Sequence, residues 1–357
     1  MLLRDAIRWR EQGQMLVLFA AALAALCVGV GLVIDGGYGL AQRRSAQNAA
    51  DFAALAGARI VAQKIGGNTV DGTDDNVKAA ITTSVAANGG TVAFGPSGGP
   101  AYIDVSGMSV GWVGDGSIPS TAVGVTVPTR KSWQPFFLRV VGFENWTAGA
   151  TATARGGFAA GAPPGPVFPA GIAQAFFNGR TPCSGPATSD TGSSGVCDPQ
   201  RFTNGTLNVP GGFGWLKFGC DGYGLGQDPP ANAGGCSNGK PFLQTEIGPP
   251  GNAFGCCTQV GLPGSDDFIG SLPGNKASAD CSYYIDNKSV LTVPVWDYAD
   301  GSGSGAYYHI VGFTGFQITA CNGGKDLEGV WRVPFYIGPT TTTPGFAGQA
   351  LAVQLIK

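Results

Sequence analysis

The sequence predicts an α+β chain. An N-terminal transmembrane helix continues into a helix laid on a small sheet, and a disulfide-stapled, mainly-β domain follows. Three observations carry this. Met15 to Ile34 contains no charged residue, and at about 1.5 Å of rise per residue the run spans about 30 Å, the thickness of a bilayer's hydrocarbon core. The chain holds 60 glycines and 24 prolines among short β-branched and aromatic runs, which suits strands and turns. All its cysteines but Cys27 lie in the C-terminal half.

Residues 1–14 read as a cytoplasmic tail and 15–34 as the membrane helix. Arg4, Arg8 and Arg10 precede the span and Arg43 and Arg44 follow it, a weak charge bias. The cysteines set the orientation instead, with the N-terminus inside and the rest of the chain extracytoplasmic. The apolar run is too long for a signal peptide and no A-x-A site closes it. Leu26 stands before Cys27 where lipidation needs a small residue.

Residues 35–155 form the expected first domain. The helix continues through 36–64 with Ala49, Ala53, Ala56 and Ile60 on one packing face. Two readings stand: this face packs on its own domain, or it packs into an assembly. Asp35 reads as an interfacial carboxylate. Gly66 to Asp75 is a break, and Asp74 or Asp75 caps a helix through Asn88 with Val77, Ala80, Ile81, Ser84 and Val85 on one face. Strands are expected at 101–113, 121–127 and 146–154, with an apolar hook or short helix at 136–141. In the last strand Thr147, Gly149, Thr151 and Thr153 alternate with alanines, a narrow face for a helix to lie on.

Residues 156–166, rich in Gly, Pro and Ala, read as a linker. The second domain, 167–357, carries expected strands at 213–218, 289–298, 307–320, 329–337 and 349–356. Its eight cysteines, Cys183, Cys197, Cys220, Cys236, Cys256, Cys257, Cys281 and Cys321, are an even set in an exported segment and read as disulfides. Local pairing of Cys183 with Cys197 and Cys220 with Cys236 is expected, each stabilising the fold by about 3 kcal/mol in the chain-entropy model. Zinc is the competing reading, but C-x-x-C is absent and His309 is the sole histidine.

A resemblance emerges at the N-terminus. Glu11, Gly13 and Gln14 precede the apolar run and Asp35 and Gly36 close it. Arg43, Arg44, Gln47, Asn48, Ala49, Ala50, Asp51, Ala53, Ala54, Leu55, Ala56, Gly57 and Ala58 follow. This pattern resembles the N-terminal segment of TadE/TadG-like proteins of the Flp (tight adherence) pilus system. The run from Val123 to Arg155 is similar to that family more weakly. The resemblance implies a pilin-like plan for the first domain and partners among membrane or pilus-assembly proteins, engaged through the N-terminal helix. Pilins of this broad type are cut after a glycine, with a glutamate five residues on. Leu18 occupies that place after Gly13, so an uncleaved anchor is expected.

No enzyme is expected. His309 lies in a strand pattern with no nucleophile beside it, and neither H-E-x-x-H nor a phosphate-binding glycine loop occurs. Asp104-Val-Ser-Gly-Met-Ser109 misses the D-x-S-x-S metal pattern by one residue. Asp71, Asp74 and Asp75, and Asp266 and Asp267, lack calcium-loop spacing. No metal or cofactor is expected. With 12% charged residues and a net charge of −2, the chain has no nucleic-acid footprint. The leading function is a non-enzymatic, membrane-anchored component of pilus assembly or surface export. A membrane-tethered adhesin or glycan-binding module, using exposed aromatics on an unknown surface ligand, is the alternative. An enzyme built on paired carboxylates comes third.

Overall fold

The computed structural model describes residues 2–160, 168, 170–177, 200–203, 213–216, 268–270, 282–300, 307–322, 326–342 and 349–356. One continuous helix, α1 (Leu2–Ile65), contains the apolar span and the expected extension. Its residues from Met15 to Ile34 are exposed except Gly31. Its C-terminal half is buried along Ala46, Ala49, Ala50, Ala53, Ala54, Ala58, Val61 and Ala62. The expected packing face is therefore offset. Ala49 and Ala53 are inside, while Ala56 and Ile60 are half-buried at its edge.

A second helix, α2 (Asp74–Ala87), packs its Val77, Ile81 and Val85 beside α1. Its cap is Thr73, whose Oγ1 accepts from the Asn76 amide at 3.3 Å. Asp74, expected as a cap, turns inward instead.

Both helices cover a seven-stranded sheet. Its first four strands are β1 (Ala101–Ile103), β2 (Ser109–Trp112), β3 (Gly124–Trp133) and β4 (Trp146–Ala159). The expected single strand over 101–113 is a hairpin. Asp104 Oδ1 accepts from the Ser106 and Met108 amides and Gly107 takes φ +83°, which folds the chain back. On β4 the alanines at 148, 150, 152 and 154 are more buried than the residues between them, as the alternation predicts. Helix and strand approach closely at Gly156, where an added Cβ would lie 2.2 Å from the Ala58 carbonyl oxygen.

β4 runs through residues 156–159, so the expected linker begins as strand. Farther along the chain, β5 (Ala170–Ala173), β6 (Gln200–Thr203), β7 (Phe213–Trp215), β8 (Phe268–Gly270), β9 (Val290–Asp300), β10 (Tyr307–Asn322) and β11 (Asp326–Arg332) form a second seven-stranded sheet. A short helix, α3 (Ser282–Asp286), precedes β9. The chain then crosses back at Val333-Pro334. β12 (Phe335–Ile337), β13 (Thr340–Thr341) and β14 (Leu351–Ile356) all join the first sheet, with β14 between β12 and β4. The expected strand 329–337 is thus two strands in two sheets, because Pro334 cannot donate to a ladder. β12, β13 and β14, expected in the second domain, complete the first sheet.

The second sheet buries Trp296, Tyr308, Ile310 and Phe313 against Ala159, Ala350 and Ala352 of the first. The Ala350 amide donates to the Phe313 carbonyl at 2.7 Å. Cys183, Cys197, Cys220, Cys236, Cys256, Cys257 and Cys281 lie outside the described residues, as do residues 161–167, Asp266 and Asp267. Cys321 falls on β10, but its side chain lies outside the description.

Candidate functional site

The residues with the most specific arrangement sit where the apolar span meets the first sheet. β3 and β4 project past α2 toward the span, and the 3-10 turn Leu138–Val141 closes the loop between them. Gly142, at φ +100°, ends that turn in the left-handed region open to glycine. The loop reaches back along α1. A Cβ on Gly31 would lie 2.7 Å from Phe137 Cβ, so only glycine admits this contact.

Asp35 fixes the loop. Its Oδ1 accepts from the Phe136 amide at 2.7 Å. Its Oδ2 accepts from the Phe137 and Leu138 amides at 2.9 and 2.7 Å. The residue is 1% exposed. Desolvation works to raise its pKa, but the three amide donors outweigh it and hold the carboxyl below its ordinary value. The expected interfacial carboxylate is thus a buried clasp. The sequence carried two halves of a signal, the Asp-Gly at the end of the span and the apolar Pro135-Phe-Phe-Leu hook, but nothing in their spacing joins positions 100 residues apart.

An aromatic collar lies one step outward. Trp133 and Trp146 face each other across the β3–β4 ladder, with ring centroids 6.2 Å apart. Tyr38 stands edge-on to Trp133 at 6.4 Å and touches Phe136 at 5.2 Å. Gly39 leaves room for both indoles. Gly39, Arg43, Trp133 and Trp146 border a shallow, open groove.

The remaining candidates lie apart from this junction. Asp74, 3% exposed, accepts from the Tyr102 hydroxyl at 2.5 Å and from the Gly114 and Gly116 amides. Burial first, and then the bond to Asp74 and its charge, push the Tyr102 hydroxyl pKa far up. Asp71 instead accepts from the Asn68 side chain and Asp75 faces solvent, so the three carboxylates diverge. His309 lies on β10, paired with Asp297 of β9 at 2.7 Å. Among the described residues no three His, Cys, Asp or Glu side chains gather as a metal site would require. Among the C-terminal aromatics whose side chains are described, Tyr284, Trp296, Tyr308, Phe313, Phe316 and Trp331 are buried and Tyr298 is exposed.

Residues 13–59 match the TadE/G-like Flp pilus-assembly family model. The match covers the apolar span, Asp35 and most of the buried half of α1. No curated protein and no solved structure matches the chain.

Proposed function

We propose that this chain is a non-enzymatic, single-pass component of Flp/Tad-type pilus assembly or of related surface-export machinery. The carrying observation is that the family match falls on α1, whose two halves do different work. The outer half is fastened into the folded body through a small-residue face. The inner half is the one candidate membrane span among the described residues, long and apolar enough to cross a bilayer. Because Ala49 and Ala53 are buried within the chain, partner contact passes to the span. On the span Gly29, and just beyond it Gly36 and Gly37, have nothing within 4 Å of where a Cβ would stand, and small residues allow close helix approach in a membrane.

The proposed orientation places the N-terminus in the cytoplasm and both sheets outside, where the eight C-terminal cysteines oxidise. The proposed division is an anchor, a first unit of residues 35–160 closed by β12, β13 and β14, and a second unit inserted between them. The adhesin reading gains little from the described residues, since Tyr284, Trp296, Tyr308, Phe313, Phe316 and Trp331 are buried.

Photocrosslinking in cells from Val33, an exposed position on the span, tests the proposal. Capture of another membrane component of the pilus or export system is expected. Capture of lipid alone, with normal surface assembly in a deletion strain, would refute it.

A further inference from the structure

The loop clasped by Asp35 leaves its apolar side chains uncovered. Phe136, Phe137, Val140 and Phe143 are 62%, 47%, 86% and 56% exposed. An apolar tip this bare is costly in water. Its position says what covers it. Phe137 rests on Gly31, about one helical turn inside the apolar span relative to Asp35. The tip's surface is therefore continuous with that of the span and lies at the level where the span leaves the hydrocarbon.

We propose that the hook 136–143 is a second membrane-contacting element, seated in the same leaflet beside the anchor helix. This rests on the reading of Met15–Ile34 as a membrane anchor. The surrounding residues match the layers of an interface. The hook's phenyl and valyl groups enter the acyl region. Arg139, whose Nη1 donates to Gln134 at 3.1 Å, has the reach to hold its guanidinium at the headgroups. Tyr38, Trp133 and Trp146 form the aromatic belt expected just outside the hydrocarbon.

The Asp35 clasp answers a requirement that this setting imposes. A carboxylate and three backbone amides cannot be left unpaired at the edge of a bilayer. Each satisfies the other, so the loop enters the leaflet with the polar groups at its base already bonded. One covalent span and one clasped wedge would fix the rotation of α1 about its axis, which a lone helix leaves free.

The test uses the wild-type full chain, one copy per phosphatidylcholine nanodisc, and an apolar iodophenyl-diazirine that partitions into hydrocarbon. Labelled residues are mapped by mass spectrometry. Labelling is expected at both 15–34 and 136–143. Val70 is the control. It is as bare as Val140 but follows the far end of α1, about 45 Å from Asp35 along the helix. Labelling of 136–143 several-fold above Val70 supports the inference. Labelling of 15–34 with 136–143 no higher than Val70 overturns the hook and leaves the anchor standing. Absence of label from both segments overturns the anchor reading and the hook with it.

Discussion

Asp35 concentrates three demands in one side chain. It must stay charged while hidden from water, hold a loop drawn from more than 100 residues away, and do so beside an apolar span. Its lowered pKa fixes the sign of a pH effect. A carboxyl whose folded pKa lies below the unfolded value stabilises the fold above that value, 3.8 here, and loses the contribution as pH falls through the folded one. Asp35→Asn keeps one carbonyl acceptor where the carboxylate used two oxygens, so an amide of the hook goes unserved. The variant should unfold at lower denaturant than wild type at pH 7, and the gap should shrink below pH 3.8. Denaturant titrations in detergent at both pH values check this, and an equal gap at both would refute the clasp. Cys27 offers a second test at this scale. It is free and exposed on the span. Thiol labelling of the unfolded, unreduced chain should find this one thiol if the C-terminal cysteines are oxidised, and three or more would refute their pairing.

At the scale of elements, the stretch of α1 from Ala49 to Ala62 is held mainly by close packing of small side chains. Ala53 and Gly57 are buried against α2 and the sheet, and a Cβ on Gly57 would lie 2.9 Å from Val125. Ala53→Leu adds three carbons to a full interface and should cost about 1–3 kcal/mol. Ala56→Leu, at the half-buried edge, should cost clearly less. Denaturant melts of the two variants check the order, and equal losses would mean that the face is centred elsewhere. The helices and β4 were legible because period 3.6 and period 2 are written in alanines, valines and threonines, while of β3 only the start was read, as 121–127. The hairpin at Asp104 was not read, because its turn lies inside a run that also alternates like a strand. The Thr73 cap was missed because two aspartates, equally good caps in sequence, follow it directly. The candidate site was legible only in parts. The hook and the span each announce themselves by apolarity, but their junction depends on a long-range contact that a pattern of local periods cannot express.

For the whole molecule, the decisive element is β14. Its residues alternate between two interiors. Leu351 packs with Ala62 and Phe158, and Val353 joins the core beneath α1. Ala350, just before the strand, and Ala352 face the other way, into the cluster of Trp296, Tyr308 and Phe313 from the second sheet. The period of a strand thus joins two units that sequence order separates. It also explains why the C-terminus could not be assigned from composition. Gln349 to Ile356 reads as one more β-run after several, and only pairing with β4 shows that it closes the first sheet. A linear chain of domains would tolerate loss of its last strand by damaging the last domain alone. The insertion architecture does not. Deleting residues 349–357 strips the β4 edge of its partner from Thr153 to Phe158 and uncovers Trp296 and Phe313 together. Hydrogen exchange on the truncated protein should then show lost protection in both β4 and β9–β10. Loss confined to the second sheet would mean that the two units are independent and that β14 belongs with the second. Loss confined to β4 would mean that the second sheet stands without the seam. Simultaneous loss in both is the outcome that a shared strand requires.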